Sequence, residues 1–526
     1  MVKQNNIRIL SRKSDLAIIQ ARMVGKAIKK KFPSLKIQYH TKSTKGDIDQ
    51  TTPLSVMETE GVFTADIRNN LIKNNCDLAV HSWKDLPLDL GSQTLIAGTL
   101  ERGDIRDILF IKKQTIKNIS KKSTITVLSS SPRRCYNLTT FLKNYLPFKK
   151  KIKFKDIRGN IPTRFKKFNN NEGDILIVAK VAVDRFFLNK NKKNNKNILL
   201  MKNIINISKW MIVPLSQNPA APGQGGLAIE VLKKNKKIIN IIKSINDTKT
   251  YDCIINERKR LGKFGGGCHQ KIGASYFPIL NGTIISERGE LDNDKKFWNW
   301  YLIRNKKLKK IKINKEKIFP KELKDYNWFN RIKLIPSIKK INNLKNHCIL
   351  ISRKSALPKE ANLKSENIIW TSGMKTWKYL AGKNIWVNGT SDGIGEDLDP
   401  NISSLTKFPW IKLTHDKAIK TSRVKKIIPT YKLVPRKIVK NIEKKSHFYW
   451  MSSSAFKLAV ANLPKILKAE HACGPGNTYK EIKKFFKSFT LLHEVGARDV
   501  KYSPFGCYSR TMYVRLRKIP KVSRGV

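Results

Sequence analysis

Residues 77–87 read DLAVHSWKDLP, a short apolar run that passes directly into a polar turn carrying Lys84 and Asp85. Residues 124–134, TITVLSSSPRR, have the same design, because an apolar run ends in serines and two arginines. Continuous apolar runs of this kind are typical of strands that are buried on both faces of a parallel sheet. Ligands bind beyond the carboxyl ends of such strands, so both polar turns are predicted to face a cleft between two α/β domains.

Strands and helices alternate on either side of these runs. IRIL (7–10), KIQYH (36–40) and ILIVA (175–179) are predicted strands, and residues 16–32 and 63–74 have helical spacing of their apolar positions. This alternation predicts a largely parallel sheet covered by helices on both faces.

The rest of the chain is also predicted to be α/β. A smaller mixed segment follows residue 247, and its charged end, NKKLKKIKINKEKIF (305–319), predicts a surface helix or a linker. Beyond about residue 345, strand-like runs recur as CILIS, NIIW, IWV and HFYWM, which predicts a further α/β region in the C-terminal third.

Length and charge limit the function classes. A chain of 526 residues is too long for one core and predicts about three to five domains. The net charge of +67 would attract polyanions, nucleic acid included. However, the lysines are spread along the whole chain, which equally fits a compositional bias on solvated faces. No helix-turn-helix, zinc finger or aromatic-flanked basic motif supports specific nucleic-acid binding.

The seven cysteines are scattered, odd in number and without C-x-x-C spacing. This pattern argues against a disulfide framework or a zinc ribbon and favours a reducing compartment. Neither a secretory leader nor an apolar run of about 20 residues is apparent, so we predict a cytoplasmic protein with no membrane span and no metal.

Arginines are concentrated in the motif loops, whereas most of the remaining positive charge is lysine. They are Arg12, Arg133, Arg134, Arg158 and Arg164. Guanidinium groups bind carboxylates bidentately, which lysine cannot do. Each arginine alone fits an ordinary surface residue, but the set predicts a polyanion site. Asn160 has the position of a helix N-cap, which would add backbone N–H donors for an anion.

Two further side chains have chemistry of their own. Asp85, among many cations, is predicted to be ionised and could stabilise a cation or deliver a proton, but it also fits a turn-capping residue. Cys268 ends the run GKFGGGC, where glycines let the backbone approach a ligand closely. It is either a soft nucleophile or a small buried thiol.

Residues 7 to about 320 resemble the hydroxymethylbilane synthase (porphobilinogen deaminase) family. The resemblance rests on motifs in family order and spacing: SRKSDLAIIQA, TKGD (44–47), VHSWKDLP, ERGDIRD (101–107), SSSPRR, IRGNIPTR, PAAPGQGGLAIE (219–230), ERKRLGKFGGGC and QKIG. It implies two domains like periplasmic binding proteins and a small α/β third domain. It also implies a dipyrromethane cofactor bound covalently to Cys268, on which four porphobilinogen molecules are joined with loss of ammonia.

The resemblance assigns roles to residues of this sequence. Asp85, with Lys84, would be catalytic, and Cys268 would carry the cofactor. Besides Cys268, the residues implied to bind the cofactor are Arg133, Arg134, Ser131 and Asp85. The residues implied to bind the substrate are Arg12, Ser14, Lys84, Arg158, Gly159 and Arg164. Glu60 stands near the place of a usual lysine in the loop that closes over the substrate, which alters the charge of that loop.

The resemblance also sets domain bounds. Residues 1–105 with about 228–246 would form the first domain, 106–227 the second and 247–320 the third, with a linker at 321–345. Residues 346–526 would form a two-lobed α/β region.

This C-terminal region resembles uroporphyrinogen-III synthase. The resemblance rests on residues 368–389, 448–460 and 470–486. It implies that the linear tetrapyrrole is cyclised in a cleft that includes Ser372, Tyr431, Ser453 and Thr478, with Gly474 at a helix start. A catalytically silent appendage is the alternative.

Other function classes stay open at this point. A non-catalytic ligand-binding protein would share the fold but would have no use for Cys268, and a nucleic-acid-binding protein would use the charge. We expect a monomeric enzyme whose partner is the small molecule porphobilinogen, without specific nucleic-acid or membrane binding.

Overall fold

The computed structural model describes residues 6–44, 64–188, 195–264, 270–279, 282–291, 294–304, 315–320, 327–436, 442–473, 477–486 and 514–516. The chain divides into an N-terminal unit, residues 1–300 with 403–405, and a C-terminal unit, residues 301–402 with 406–526.

The N-terminal unit alternates strands and helices. Its strands are β1 (Asn6–Arg12), β2 (Lys36–Lys42), β3 (Leu78–Ser82), β4 (Thr94–Gly98), β5 (Asp107–Lys112), β6 (Thr124–Leu128), β7 (Lys151–Lys155), β8 (Ile175–Ala179), β9 (Ser208–Ile212), β10 (Leu227–Leu232), β11 (Gly273–Ile279), β12 (Gly282–Glu290) and β13 (Lys296–Arg304). Its helices are α1 (Asp15–Lys31), α2 (Ala65–Ile72), α3 (Lys113–Lys117), α4 (Pro132–Tyr145), α5 (Ile161–Asn169), α6 (Lys180–Phe187), α7 (Lys196–Asn206), α8 (Lys236–Ser244) and α9 (Thr248–Gly262).

Two five-stranded sheets have equivalent strand orders, β2-β1-β3-β10-β4 and β7-β6-β8-β5-β9. In each sheet the first three strands are parallel and the fourth is antiparallel to its neighbours. The chain leaves the first sheet after β4, builds the second from β5 to β9 and returns as β10. The prediction of two periplasmic-binding-protein-like domains is confirmed. A third sheet, β11-β12-β13, follows α9, and its strands β11 and β12 are antiparallel.

Apolar spacing explains how α1 covers the first sheet. Ala17, Val24 and Ile28 lie on one helical face and are buried, and this face packs against strand residues such as Ile9. The opposite face carries the lysines of KAIKKK. The predicted strands TITVL and ILIVA coincide with β6 and β8. All of β8 is buried, whereas Thr124 and Thr126 of β6 are half-buried.

The C-terminal unit contains two sheets. Its strands are β14 (Ile318–Phe319), β15 (Phe329–Lys333), β16 (Cys348–Ile351), β17 (Ile368–Thr371), β18 (Gly389–Thr390), β19 (Trp410–His415), β20 (Lys426–Pro435), β21 (His447–Trp450), β22 (Glu470–Cys473) and β23 (Val514–Leu516). Its helices are α10 (Ser337–Asn342), α11 (Met374–Ala381), α12 (Ser453–Asn462) and α13 (Asn477–Lys483). The first lobe has the order β15-β20-β19-β16-β17-β18 and the second β14-β21-β22-β23.

Three predictions for this region need correction. The predicted linker at 321–345 is wrong for its described part, because β15 and α10 belong to the first lobe. The last two residues of the predicted surface helix or linker form β14, which pairs with β21. The run IWV (385–387) is buried at Val387 but is not a strand. Asn388 instead bonds the backbone of Ile369, and strand pairing begins only at Gly389.

An aromatic core holds the second lobe together around His471. This side chain is fully buried, its Nδ1 accepts a hydrogen bond from Trp450 Nε1 at 2.8 Å, and its Nε2 lies 2.8 Å from the carbonyl of Ile466. One acceptor and one donor nitrogen describe a neutral imidazole. Burial lowers the pKa of His471 from 6.5 to about 4.

We therefore expect the C-terminal unit to lose stability as pH falls from 6.5 towards 4. The unfolded chain protonates this histidine in that window and the folded chain does not, so the loss is on the order of 3 kcal/mol. Urea-dependent hydrogen exchange of β21 and β22 measures it locally. His471→Gln should flatten this dependence, and an unchanged slope in the variant would contradict it.

Candidate functional site

The Lys84–Asp85 turn follows directly from β3. Residues Trp83–Asp85 form a 3₁₀ turn, and the N–H of Trp83 donates to the carbonyl of Gly226 at 3.1 Å. The buried Trp83 ring packs edge-on against Tyr251, with 5.3 Å between ring centroids. The large apolar residue before Lys84 thus anchors the turn to the core.

A glycine loop and an arginine fix the same turn from outside. Gly223 has a φ of +81°, and a Cβ there would lie 3.1 Å from the backbone nitrogen of Lys84, so the loop needs glycine for its conformation and its close approach. Arg258 on α9 donates to the carbonyls of Trp83 at 3.4 Å and Leu86 at 3.1 Å, and also to that of Pro87. The backbone carrying Asp85 is therefore held on both sides.

Arg133 and Arg134 lie in the first turn of α4, and both are buried. Arg134 binds Asp107 through Nε at 3.0 Å and Nη2 at 2.8 Å, and Arg133 Nη2 binds the same carboxylate at 2.8 Å. These cations keep the pKa of Asp107 far below its usual value, although burial alone would raise it. Ser131 caps the helix by accepting from the N–H of Arg134 at 3.4 Å.

Arg133 is also tied to the loop that leads back to the first domain. Its Nη1 donates to Asn218 Oδ1 at 2.8 Å and to the carbonyl of Pro219 at 2.6 Å. Structural partners therefore occupy both terminal nitrogens of Arg133. In Arg134, Nη1 is the guanidinium nitrogen that Asp107 does not use.

The RGN-x-x-TR frame forms the start of α5. Asn160 is its N-cap, accepting from the N–H of Thr163 at 3.0 Å, which confirms that prediction. Gly159 has a φ of +103°, and its carbonyl accepts from Arg164 Nε at 2.8 Å. Burial lowers the pKa of Arg164 to about 10, and repulsion from Arg134 and Arg158 acts in the same direction.

Electrostatic interactions connect the Lys84–Asp85 turn with the starts of α4 and α5. Burial lowers the pKa of Lys84, with Asp85 and Asp107 opposing the shift and the two arginines of α4 reinforcing it. The field of Asp85 also reaches Arg164. The turn that carries Lys84 and Asp85 therefore lies within electrostatic reach of Arg133, Arg134 and Arg164.

Of the remaining residues that the sequence singled out, two lie in the described part of the chain and two do not. Arg12 ends β1, which is parallel to β3, so it lies at the same sheet edge as the Lys84–Asp85 turn. Ser14 caps α1 by accepting from the N–H of Ala17 at 3.4 Å. Cys268 and Glu60 lie outside the described residues.

Comparison with known proteins agrees with these motifs. The family model described as "Porphobilinogen deaminase, dipyrromethane cofactor binding domain" matches residues 7–240. A "Probable porphobilinogen deaminase" of Picrophilus torridus is 35% identical over 270 residues, covering 51% of this chain and 84% of that protein. The chain belongs to the porphobilinogen deaminase family. Porphobilinogen deaminases of Chlorobium phaeovibrioides and Nostoc sp. are 33% and 31% identical, covering 54% and 55% of this chain and 83% and 84% of theirs.

The N-terminal half is thus a porphobilinogen deaminase, a transferase of porphyrin biosynthesis that acts on porphobilinogen and uses a dipyrromethane cofactor. None of the helices in the described ranges is long and apolar enough to cross a membrane. Among the same ranges, no group of three or more His, Cys, Asp or Glu side chains could hold a metal ion.

Sequence reasoning missed the buried carboxylates that hold the deaminase site together. Glu257 on α9 accepts from both terminal nitrogens of Arg102, at 2.8 and 2.7 Å, and from the N–H groups of Gly223 and Tyr276, each at 2.8 Å. It therefore joins α9 to Arg102, to the glycine loop at Gly223 and to β11 at Tyr276. The sequence indicated a role for Glu257 only because this residue begins the motif ERKRLGKFGGGC.

A second missed carboxylate, Glu230, supports the strand that carries the turn. It is fully buried between His81 Nε2 at 3.0 Å, Arg68 Nε at 2.6 Å and Thr94 Oγ1 at 2.6 Å. These partners lower the pKa of Glu230 to about 2 against the effect of burial, with the His81 hydrogen bond contributing most. The end of β3 is consequently fixed to β10.

In the C-terminal unit three of the predicted residues lie at a strand end or a helix start. Ser372 follows β17 and donates to Glu396 Oε1 at 2.9 Å. Ser453 begins α12, but the capping residue is Ser452, which accepts from the N–H of Ala455 at 3.3 Å. Thr478 lies in the first turn of α13. Tyr431 is buried on β20, and Gly474 lies outside the described residues.

Asp107→Asn should destabilise the deaminase half strongly. It removes the charge that both buried arginines share, and breaking a buried ion pair costs about 3–5 kcal/mol. Urea unfolding of the N-terminal unit measures the loss, with the exposed Asp252→Asn on α9 as matched control. A loss below about 1 kcal/mol, the range of surface pairs, would contradict the role given to Asp107.

Proposed function

We propose that the N-terminal half joins four porphobilinogen molecules one at a time on a dipyrromethane held by Cys268 and releases the linear tetrapyrrole hydroxymethylbilane. The observation that carries this proposal is that Lys84 and Asp85, at the end of β3, lie within electrostatic reach of the arginines at the starts of α4 and α5. Each addition releases ammonia, and each pyrrole brings two carboxylates, so the growing chain accumulates negative charge.

The charges of the cleft fit a cofactor of this kind. Arg164, Arg158 and Arg134 repel one another, which is one reason why the pKa of Arg164 is lowered to about 10. Bound carboxylates would relieve this repulsion through paired guanidinium hydrogen bonds. When bound, dipyrromethane supplies the pyrrole carbon to which the next unit is joined.

Asp85 is proposed as the acid–base group. Arg258 and the glycine loop fix the turn on which it lies, so the backbone that carries its carboxylate keeps one position while substrates change. There it can accept the pyrrole N–H and stabilise positive charge that develops on the ring. Lys84, whose pKa burial lowers, is proposed to bind a substrate carboxylate beside it.

The arginines are proposed to have different tasks. Arg133, with both terminal nitrogens engaged, positions α4 against the interdomain loop. Arg134, through Nη1, together with Ser131, is assigned to the cofactor. The substrate carboxylates are assigned to Arg12, Ser14, Arg158, Gly159 and Arg164.

We also propose domain bounds close to those predicted, with β10 returning to the first domain, and a monomeric cytoplasmic enzyme. The compartment is supported by the cysteines in the described part of the chain, which are free thiols: Cys76, Cys135, Cys253, Cys348 and Cys473.

A second candidate activity is cyclisation of hydroxymethylbilane to uroporphyrinogen III by the C-terminal unit. Its support is the pair of α/β lobes, in which Ser372 and Thr478 lie at the carboxyl ends of parallel strands. Lys480 on α13 forms an ion pair with Asp397 of the other lobe, so the two lobes approach each other there.

Product analysis tests this candidate. The full chain is supplied with porphobilinogen, the products are oxidised and the porphyrin isomers are separated. We expect mainly the type III isomer, because unassisted closure of the linear tetrapyrrole gives type I. Type I alone would show that the C-terminal unit is a catalytically silent appendage.

A further inference from the structure

The outermost strand of the second sheet in the N-terminal unit carries a row of lysines. This strand, β7, has the sequence KIKFK, in which Lys151, Lys153 and Lys155 are exposed whereas Ile152 and Phe154 are half-buried. Because side chains alternate between the two faces of a strand, the three lysines lie on one face. Lys151, Lys153 and Lys155 are called the lysine row below.

The lysine row lies at the edge of its sheet. β7 is parallel to β6 and begins the order β7-β6-β8-β5-β9, so its other side pairs with no strand in the described part of the chain. Two residues of a strand advance by about 6.6 Å, which sets the spacing of the lysines in the row. Successive phosphates along one strand of a nucleic acid have a similar spacing. One extended phosphate polymer can therefore contact all three lysines.

Acidic side chains do not neutralise the lysine row. Between Asp107 and Asp156 the sequence contains no Asp or Glu. Lys122, in the loop before β6, is paired with Asp174 at 2.9 Å, whereas no carboxylate within the described ranges forms an ion pair with a member of the row. The charge of the row is consequently available to an outside anion.

The lysines at both ends of β7 donate to backbone carbonyls. Lys150 donates to the carbonyl of Ser120 at 3.3 Å, a contact that brings the loop with the exposed Lys121 beside the strand. At the other end, Lys155 donates to the carbonyl of Glu172 at 3.4 Å. A carbonyl orients an ammonium group but does not cancel its charge, so the surface stays positive along the whole strand.

The equivalent strand of the first sheet separates two explanations of the row. Lysines on edge strands prevent sheets from associating with one another. β2 has the same edge position in the order β2-β1-β3-β10-β4. Its corresponding exposed row runs Lys36, Gln38, His40 and Lys42, with lysines only at its ends. The unbroken row on β7 therefore exceeds what protection of an edge requires.

The surroundings of the row favour a nucleic acid over a membrane. Stable attachment to a bilayer combines cations with apolar side chains that insert into it. Within the described ranges, no large apolar side chain is exposed between Leu88 and Leu188. Phosphates need only suitably spaced cations. The same stretch offers no exposed aromatic ring on which a base could stack, so no sequence preference is expected.

We infer that the lysine row is a docking surface for the phosphate backbone of a nucleic acid, which is bound without sequence preference. Lysine suits this task because its ammonium group is a point charge that accepts a phosphate in any orientation, whereas the arginines of the deaminase site suit paired contacts with carboxylates. The inference goes beyond the deaminase reaction and does not depend on it.

The test is fluorescence anisotropy of a labelled single-stranded RNA of mixed sequence, titrated with the full chain at several salt concentrations. Each phosphate contact on a single strand contributes about 0.7 to the slope of log affinity against log salt concentration. Lys151→Gln, Lys153→Gln and Lys155→Gln combined should therefore lower the magnitude of this slope by about 2. Porphobilinogen turnover should be unchanged in the same variant.

Two further variants make the result specific. Lys26→Gln, Lys29→Gln and Lys30→Gln combined remove the same charge from exposed positions of α1 and should leave the slope unchanged. Lys153→Glu keeps a charged residue on the edge strand, so it preserves the protection against sheet association that the glutamine variant weakens. It should reduce the affinity for RNA more than Lys153→Gln does.

An equal fall of the slope in the α1 variant, unchanged affinity in Lys153→Glu, or no RNA binding by the unaltered chain at physiological salt would overturn the site. Displacement of the RNA by inorganic phosphate at the same phosphate concentration would show that isolated ions suffice and would overturn the polymer. Vesicles of phosphatidylserine and phosphatidylcholine are the remaining arm. If they bind the chain through the lysine row and RNA does not, the partner is a membrane and the assignment to nucleic acid is wrong.

Discussion

Asp85→Asn is expected to lower porphobilinogen turnover at least about 100-fold without unfolding the protein. The substitution keeps size and hydrogen-bonding capacity but removes the negative charge. Asp107, the other carboxylate whose field reaches Lys84, is engaged by two arginines and cannot replace it. Electrostatic stabilisation in a partly dry site is commonly worth about 3–4 kcal/mol, which sets the expected size of the loss.

The measurement is the initial rate of porphobilinogen consumption, with thermal unfolding as a check on the fold. Asp89→Asn is the matched control, because Asp89 lies on the same loop, is exposed and only accepts from the N–H of Gly91. Near-normal turnover in Asp85→Asn would reduce Asp85 to a turn-capping residue.

Cys268→Ala is expected to abolish turnover, since the thiol that we propose as the attachment point of the cofactor is lost. Cys76, Cys253 and Cys348 are poor alternatives. Burial raises the pKa of Cys76 and Cys348 to about 12 and that of Cys253 to about 11, so very little thiolate forms at neutral pH. Cys135→Ala, at a half-buried position whose pKa is also raised by burial, is the control and should retain activity. Equal activity in both variants would refute the assignment.

Two strands and one helix start were predictable because each depends on a short, continuous stretch of the sequence. TITVL and ILIVA are continuous apolar runs between polar turns, and they coincide with strands at their exact bounds. Asn160 precedes Ile161-Pro162 at a helix start, where an N-cap side chain and an early proline are both favoured.

The failures arise where tertiary contacts decide. IWV has the composition of a strand, yet it is not one. The Asn388 side chain accepts from the N–H of Ile369, a hydrogen bond that the backbone of a longer strand would form. Asp107 meets Arg133 and Arg134 only after the chain has folded, together with Asn218 at a separation of 111 residues. No short-range pattern could pair Asp107 with Arg133 and Arg134. The motif SSSPRR therefore predicted only that the two arginines bind a ligand, whereas the structure shows that they also form an internal ion pair.

The intact mass of the purified full-length chain tests the central claim most directly. A dipyrromethane held by Cys268 predicts a mass above that of the 526-residue sequence by two pyrrole units, and Cys268→Ala should lack this increment. Brief exposure to porphobilinogen should add further units of one pyrrole each. A protein of unmodified mass that still consumes porphobilinogen would contradict the account.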